Sequence, residues 1–244
     1  MTSTSTDRTG GPKRLARHQS RVWSRRAGTW EHEGSQGLTQ VVETILKECP
    51  VAPADEVADL GTGTGQLALP LARGAARVFA VDVSSKMLDL LQANAQSQGL
   101  ANVASVESAI ETVTFPSSSL DLVVSNYALH HLKDRDKKEV VARAATWLRP
   151  GGRIVIGDMM FGRGSDGRDR AIIRSKVAAL ARLGPGGWWR IAKNAWRFTF
   201  RVHEQPVKVD VWKAYLADAG FTDIVAIPVV AEAAVVMASR PAHS

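Results

Sequence analysis

The chain has 244 residues, 45% of them hydrophobic, and a formal net charge of +7; that is length enough for one sizeable core carrying a large insertion. Its single cysteine, Cys49, excludes an internal disulfide and a cysteine-based metal cluster, and suits a reducing cytoplasm. No stretch of eighteen apolar residues occurs, so a transmembrane helix is not expected.

The net charge is unevenly spread. Residues 1–30 carry +6, residues 159–215 carry +8, and all other residues together carry −7. The body is therefore acidic, and the excess basicity sits in an N-terminal arm and one internal block. The arm opens "MTSTSTDRTGGPKRL", polar and without an apolar run. It is expected to be a disordered basic tail over residues 1–15, neither a secretory signal nor an anchor.

From residue 38 onward, short apolar runs alternate with longer helical periods. This predicts an α/β fold with a mostly parallel, doubly wound sheet. In order, the expected elements are a helix at 38–48, a strand at 56–60, a helix at 65–74, a strand at 77–83 and a helix at 85–98. Strands at 103–108 and 120–126 follow, then a helix at 136–148 and a strand at 152–158. Gly99 stops one helix, and "LRPGG" at 148–152 is expected to separate the next from its strand. After Asp158 the alternation breaks for roughly fifty residues, longer than a crossover needs. It resumes with a helix at 208–219, a stop at Gly220 and two β-rich runs that suit a terminal antiparallel hairpin. The expected organisation is a tail at 1–15, N-terminal cap helices and core at 16–158, a helical insertion at 159–207, and a closing helix and hairpin at 208–244.

The densest motif is "VADLGTGTGQLALPLA". Gly61, Gly63 and Gly65 follow a strand and precede a helix, where the backbone must turn tightly and let a ligand approach. Asp82 ends the next strand, where a carboxylate can accept from both ribose hydroxyls of an adenosine cofactor. A dinucleotide fingerprint would put the third glycine three residues after the second, over a pyrophosphate. Here the spacing is G-x-G-x-G with Asp59 two residues ahead. In this the sequence resembles the class I S-adenosylmethionine-dependent methyltransferases, whose first motif reads D/E-x-G-x-G-x-G.

The resemblance implies a Rossmann-like seven-stranded sheet and S-adenosyl-L-methionine as cofactor. It would give Asp59 the cofactor's amino group, place Thr62, Gln66, Val83 and Met87 around the loop and the acid, and set Ala109 and Ile110 beside the adenine. Ser108 stands where an aspartate is common. Asn126 and Tyr127, ending the fourth strand, would lie near the methionine part, Tyr127 as a wall. In "LHHL", His130 and His131 are expected at the mouth of the cleft. Either could take a proton from an acceptor, with His130 slightly ahead, and Asp158 is a further candidate. No metal site is expected, because the histidines lack ligand spacing. "SNYA" stands in place of the N/D-P-P-F/Y of amide and adenine methylation, which disfavours those acceptors; in general look the chain resembles the small-molecule, quinone and lipid methyltransferases, which implies a small, apolar or aromatic acceptor.

The insertion contains "GGWWRIAKNAWRFTFR" at 186–201. On a helix, Arg190, Lys193, Arg197 and Arg201 fall within an arc of about 80°, and the tryptophans and phenylalanines fill the opposite side. Nucleic-acid binding wants both residue types on one face, so a nucleic-acid partner is disfavoured. A lid over the active site, or a lid that also makes peripheral membrane contact through 188–201, both suit the pattern. The alternatives to a small-molecule enzyme are an RNA methyltransferase using the basic arm and a non-catalytic cofactor-binding regulator.

Overall fold

The computed structural model describes residues 36–162 and 205–242, together with single helical positions at 167, 170, 174 and 178. The basic arm, the tail at 1–15, and the segment 186–201 lie outside the described residues. Within the expected helical insertion, Arg170, Arg174 and Ala178 are helical and exposed.

Seven strands form one sheet: β1 (Glu56–Leu60), β2 (Arg77–Asp82), β3 (Val103–Glu107), β4 (Leu120–Asn126), β5 (Leu148–Met159), β6 (Thr222–Val230) and β7 (Ala233–Ser239). Their order is β3-β2-β1-β4-β5-β7-β6. β1 to β5 pair in parallel, while β7 runs antiparallel to both β5 and β6. The expected seven-stranded sheet with its terminal hairpin is thus observed.

Helices α1 (Gln36–Glu48), α2 (Ala68–Ala72) and α3 (Ser85–Ser97) contribute to one core; α4 (Asp134–Trp147) and α5 (Val209–Asp218) contribute to the other. Alternation along β1 explains the two layers: Ala58 and Leu60 belong to the core with α4 and α5, and Val57 to the core with α1 to α3. Two faces must be apolar at once, so the central strands are mostly apolar on both faces, with Asp59 in β1 and Ser125 in β4 as buried polar exceptions.

Two helices stop as their glycines predict. Gly99 and Gly220 adopt φ of +69° and +85°, and the next amides, of Leu100 and Phe221, reach back to Ala95 O and Leu216 O. This is the left-handed C-terminal closure glycine favours. Most boundaries fall within two residues of expectation, and two differ by more. α2 starts at Ala68 rather than 65, because Gly65 sits at φ +96° and the turn runs on to Leu67. β5 starts at Leu148, ahead of the expected turn: Leu148 pairs with Leu120, and the next paired residue is Arg153 with Leu122. "LRPGG" is therefore an irregularity inside the strand, with Gly151 at φ +80°.

The sequence runs outward from β1 to β2 and β3, then crosses to β4 and β5 on the other side. The strand order reverses between β1 and β4, and a crevice at the C-terminal ends of these strands is where such sheets bind ligands.

Candidate active site

That crevice is a partly open cleft lined from β1, β2 and β4, the position at which open α/β sheets bind small molecules. β1 delivers Asp59 and the glycine loop to it, β2 delivers Asp82 and Val83, and β4 delivers Asn126 and Tyr127.

The three glycines have three different reasons. Gly61, at φ +79°, lies so near the turn after β4 that a Cβ would stand 2.3 Å from Ala128 Cβ. Gly63, at φ +55°, faces open space with nothing within 4 Å, which leaves its backbone accessible in the cleft. Gly65 does not line the cleft; its Cβ would meet Leu69 at 2.8 Å, so it serves the packing of the loop on α2. Loop and β2 are tied by the Gly61 and Thr62 amides, both donating to Val81 O.

Two carboxylates flank the loop. Asp59 is buried and accepts from Thr62 Oγ1 at 2.8 Å. Burial pushes its carboxyl up to about 7, opposed by the hydrogen bonds from Thr62 and the Ala68 amide and reinforced by the negative Asp82. Asp82 accepts from the Gly63 amide at 3.0 Å through Oδ2 and from the Ser84 amide at 2.9 Å through Oδ1. Burial raises its pKa too, against those backbone donors. A carboxylate offers about four lone-pair sites, so both oxygens keep capacity for two ribose hydroxyls. Ser84, which also caps α3 by accepting from the Met87 amide, explains why β2 ends where it does.

Ala109, Ile110 and Met87 form an apolar wall of the cleft, and Gln66 and Thr62 a polar one. Ser108 is not part of the lining: its hydroxyl donates to Ala109 O at 3.2 Å and faces Thr112 Oγ1. Asn126 Oδ1 is a buried acceptor with no hydrogen-bond partner. Buried polar atoms are nearly always satisfied, so an orphan acceptor in a cleft that also holds Asp59 fits an incoming ammonium group. Tyr127 adopts φ +49°, a conformation uncommon outside glycine, and its amide donates to Gly157 O. This bend sends the chain across the cleft mouth. Burial, with Glu232 and Asp158 nearby, raises the Tyr127 phenol, and its side chain forms part of the cleft wall.

The two histidines occupy a 3₁₀ turn, Leu129–His131, and they separate. His131 lines the cleft, whereas His130 and Asp158 are buried and do not. Asp158 Oδ1 lies 2.6 Å from His130 Nδ1 and accepts the Met159 amide, and its Oδ2 accepts the His130 amide. The carboxylate is thereby engaged with His130 and its own strand. The His130 and His131 rings approach to 3.9 Å between centroids.

Sequence reasoning missed Leu38, Thr64, Leu67, Glu111, Ala128 and Leu132 in the lining. Most adjoin residues that it named, and adjacency was the available signal. Leu38 comes from α1, which reaches the site because Gly157 admits Val41 and Ile45 against β5; a Cβ there would stand 2.5 Å from Val41 Cγ1. No sequence motif marks that approach. Among the described residues no group of acids, histidines and cysteines could hold a metal ion.

A glycine loop between the buried Asp59 and the half-buried Asp82, at the switch point of a sheet with this strand order, is the arrangement of a Rossmann-like class I methyltransferase fold. Residues 57–152 match the family described as a methyltransferase domain. An uncharacterized methyltransferase of Anoxybacillus flavithermus is 32% identical over 119 residues, 49% of this chain and 54% of that protein. The 27-O-demethylrifamycin SV methyltransferase of Amycolatopsis mediterranei is 28% identical over 140 residues, 55% of this chain and 50% of that protein. The chain spans about half the length of these relatives. The solved structure of YcgJ from Bacillus subtilis shares the fold, with a TM-score of 0.58, 21% identity, and coverage of 77% of this chain and 70% of that one. Residues 57–152 therefore form a methyltransferase domain with the class I, Rossmann-like fold, the class whose cofactor is S-adenosylmethionine.

Proposed function

We propose that this chain transfers a methyl group from S-adenosylmethionine to a small acceptor of apolar or aromatic character. The observation that carries the proposal is the pairing of the open backbone at Gly63 with Asp59, Asp82 and the orphan Asn126 Oδ1 around one cleft. These groups match an ammonium, a pair of ribose hydroxyls and a close backbone approach. The cofactor supplies an electrophilic methyl group on a sulfonium.

The chain's own task is to position the acceptor and exclude water. Leu38, Tyr127 and Leu132 give the cleft apolar lining near the histidine turn, which supports an apolar or aromatic acceptor. The rifamycin relative, by its name, methylates a small molecule, which favours the same class here. Where the acceptor atom carries a proton, His131 is the cleft-lining residue suited to remove it, and Asp158 orients its neighbour His130.

The test is incubation with S-adenosylmethionine labelled in the methyl group and a panel of hydroxylated aromatic and aliphatic compounds, with RNA alongside. Label entering one or more small compounds supports the proposal. Label entering RNA alone would refute the acceptor class.

A further inference from the structure

Lysine is almost never fully buried unless paired, yet Lys137 on α4 has no exposed surface. Withdrawing an ammonium from water costs several kcal/mol unless acceptors surround it. Here Nζ donates to Leu132 O at 2.9 Å, to Gln205 O at 2.6 Å and to Asp134 Oδ1 at 3.2 Å. Two of these are backbone carbonyls from chain segments far apart in sequence.

Those segments meet a second time. The Gln205 amide donates to His130 O at 2.6 Å. A closed circuit results: from His130 O to the Gln205 amide, through Gln205 O to Lys137 Nζ, and on to Leu132 O. His131 is the one residue between the two carbonyls that the circuit holds. On the other side of the turn, Asp158 takes the His130 amide and ring nitrogen. The turn is thus fixed at His130 and at Leu132, and His131 faces the cleft between them.

We propose that Lys137 is a positioning residue for His131: its buried ammonium joins the two backbone carbonyl sites flanking that histidine and sets the angle at which the imidazole enters the cleft. This rests on the assignment of His131 as the acceptor-facing group. Asp134, about 40% exposed at its side chain, supplies the counter-charge. A buried lysine serving only to fill core volume would be replaceable by methionine without effect on His131. A lysine closing this circuit is not, because methionine leaves Gln205 O and Leu132 O without their donor.

The experiment uses the full chain with histidines labelled in 15N, the His131 signals being identified through His131→Gln. In Lys137→Met, the proposal expects S-adenosylmethionine affinity within about twofold of wild type by calorimetry, since no cofactor-binding group is touched. It also expects the His131 titration midpoint to move by about half a pH unit or more, and the Gln205 amide to exchange faster. An unmoved His131 signal in a folded, cofactor-binding variant overturns the proposal. Should that variant fail to fold, amide exchange in the wild-type chain decides: slow exchange at Gln205 supports the circuit, and exchange as fast as in an exposed strand removes it. Absence of cofactor binding by the wild-type chain would refute the proposed function, and the histidine readout would remain interpretable by itself.

Discussion

Asp59 shows how this site trades stability for binding. Its carboxyl is pushed up to about 7 by burial, whereas in the unfolded chain it titrates near 3.8. Between these values the folded state keeps a proton that the unfolded state gives up, so stability is lost as pH rises through that window. Asp59→Asn removes the loss: its stability in denaturant melts should gain on wild type as pH goes from 4 to 7 and the gap should then level off, at about 4 kcal/mol. A gap independent of pH would contradict this assignment. Cofactor binding follows the opposite preference, because an ammonium favours the carboxylate. Below pH 7 the affinity of wild type should fall by up to about tenfold per pH unit, measured by calorimetry. The glycines separate the two quantities cleanly. Gly61→Ala should destabilise the fold by about 2–4 kcal/mol, since its Cβ meets Ala128 at 2.3 Å. Gly63→Ala, with open space around it, should cost only about 1 kcal/mol in denaturant melts while weakening the cofactor strongly. For the histidines, His131→Ala should lower kcat about 10²–10³-fold on an acceptor with a titrating proton and leave cofactor affinity unchanged. Asp158→Asn should lower both activity and melting temperature, because its carboxylate anchors the turn.

At the scale of elements, the legible parts were those set by local chemistry. β1 and β4 fall on their predicted residues because an apolar run between turn residues has few alternatives. The helix ends at Gly99 and Gly220 were readable because an L-residue resists the φ they adopt. The start of β5 was not readable: "LRPGG" has turn chemistry, and its inclusion in the strand depends on Leu148 finding Leu120 across the sheet. The start of α2 was missed because Gly65 has a packing duty against Leu69 that composition does not announce. Within the site, the glycine loop and Asp82 were readable from spacing, and their hydrogen bonds follow it. The division of labour between His130 and His131 was not, since two adjacent histidines differ only by which way a 3₁₀ turn faces each, and that turn is held by Asp158, Gln205 and Lys137 from distant parts of the chain. The sequence argument put His130 slightly ahead; the geometry puts His131 at the cleft. At this scale Ser84→Ala should cost about 1 kcal/mol by removing the α3 cap, read by denaturant melts, and should weaken the cofactor only slightly, because the Ser84 amide still holds Asp82.

The whole molecule has an acidic body carrying a basic arm and a basic block. Among the described residues, those that line the cofactor cleft fall within 38–132, in the acidic body. Replacing Arg190, Lys193, Arg197 and Arg201 by glutamine should therefore leave cofactor affinity unchanged, whatever it does to contact with anionic vesicles in flotation; a tenfold loss of cofactor binding would show that the basic block shapes the cleft. Among the described residues no helix is long and apolar enough to cross a membrane. The central claim is that this acidic body binds S-adenosylmethionine between Asp59 and Asp82, and calorimetry of wild type and Asp82→Ala tests it most directly. The account predicts one cofactor per chain and a roughly tenfold to hundredfold weakening in the variant, the worth of hydrogen bonds to a charged group. No binding by wild type, or equal binding by both, would contradict it.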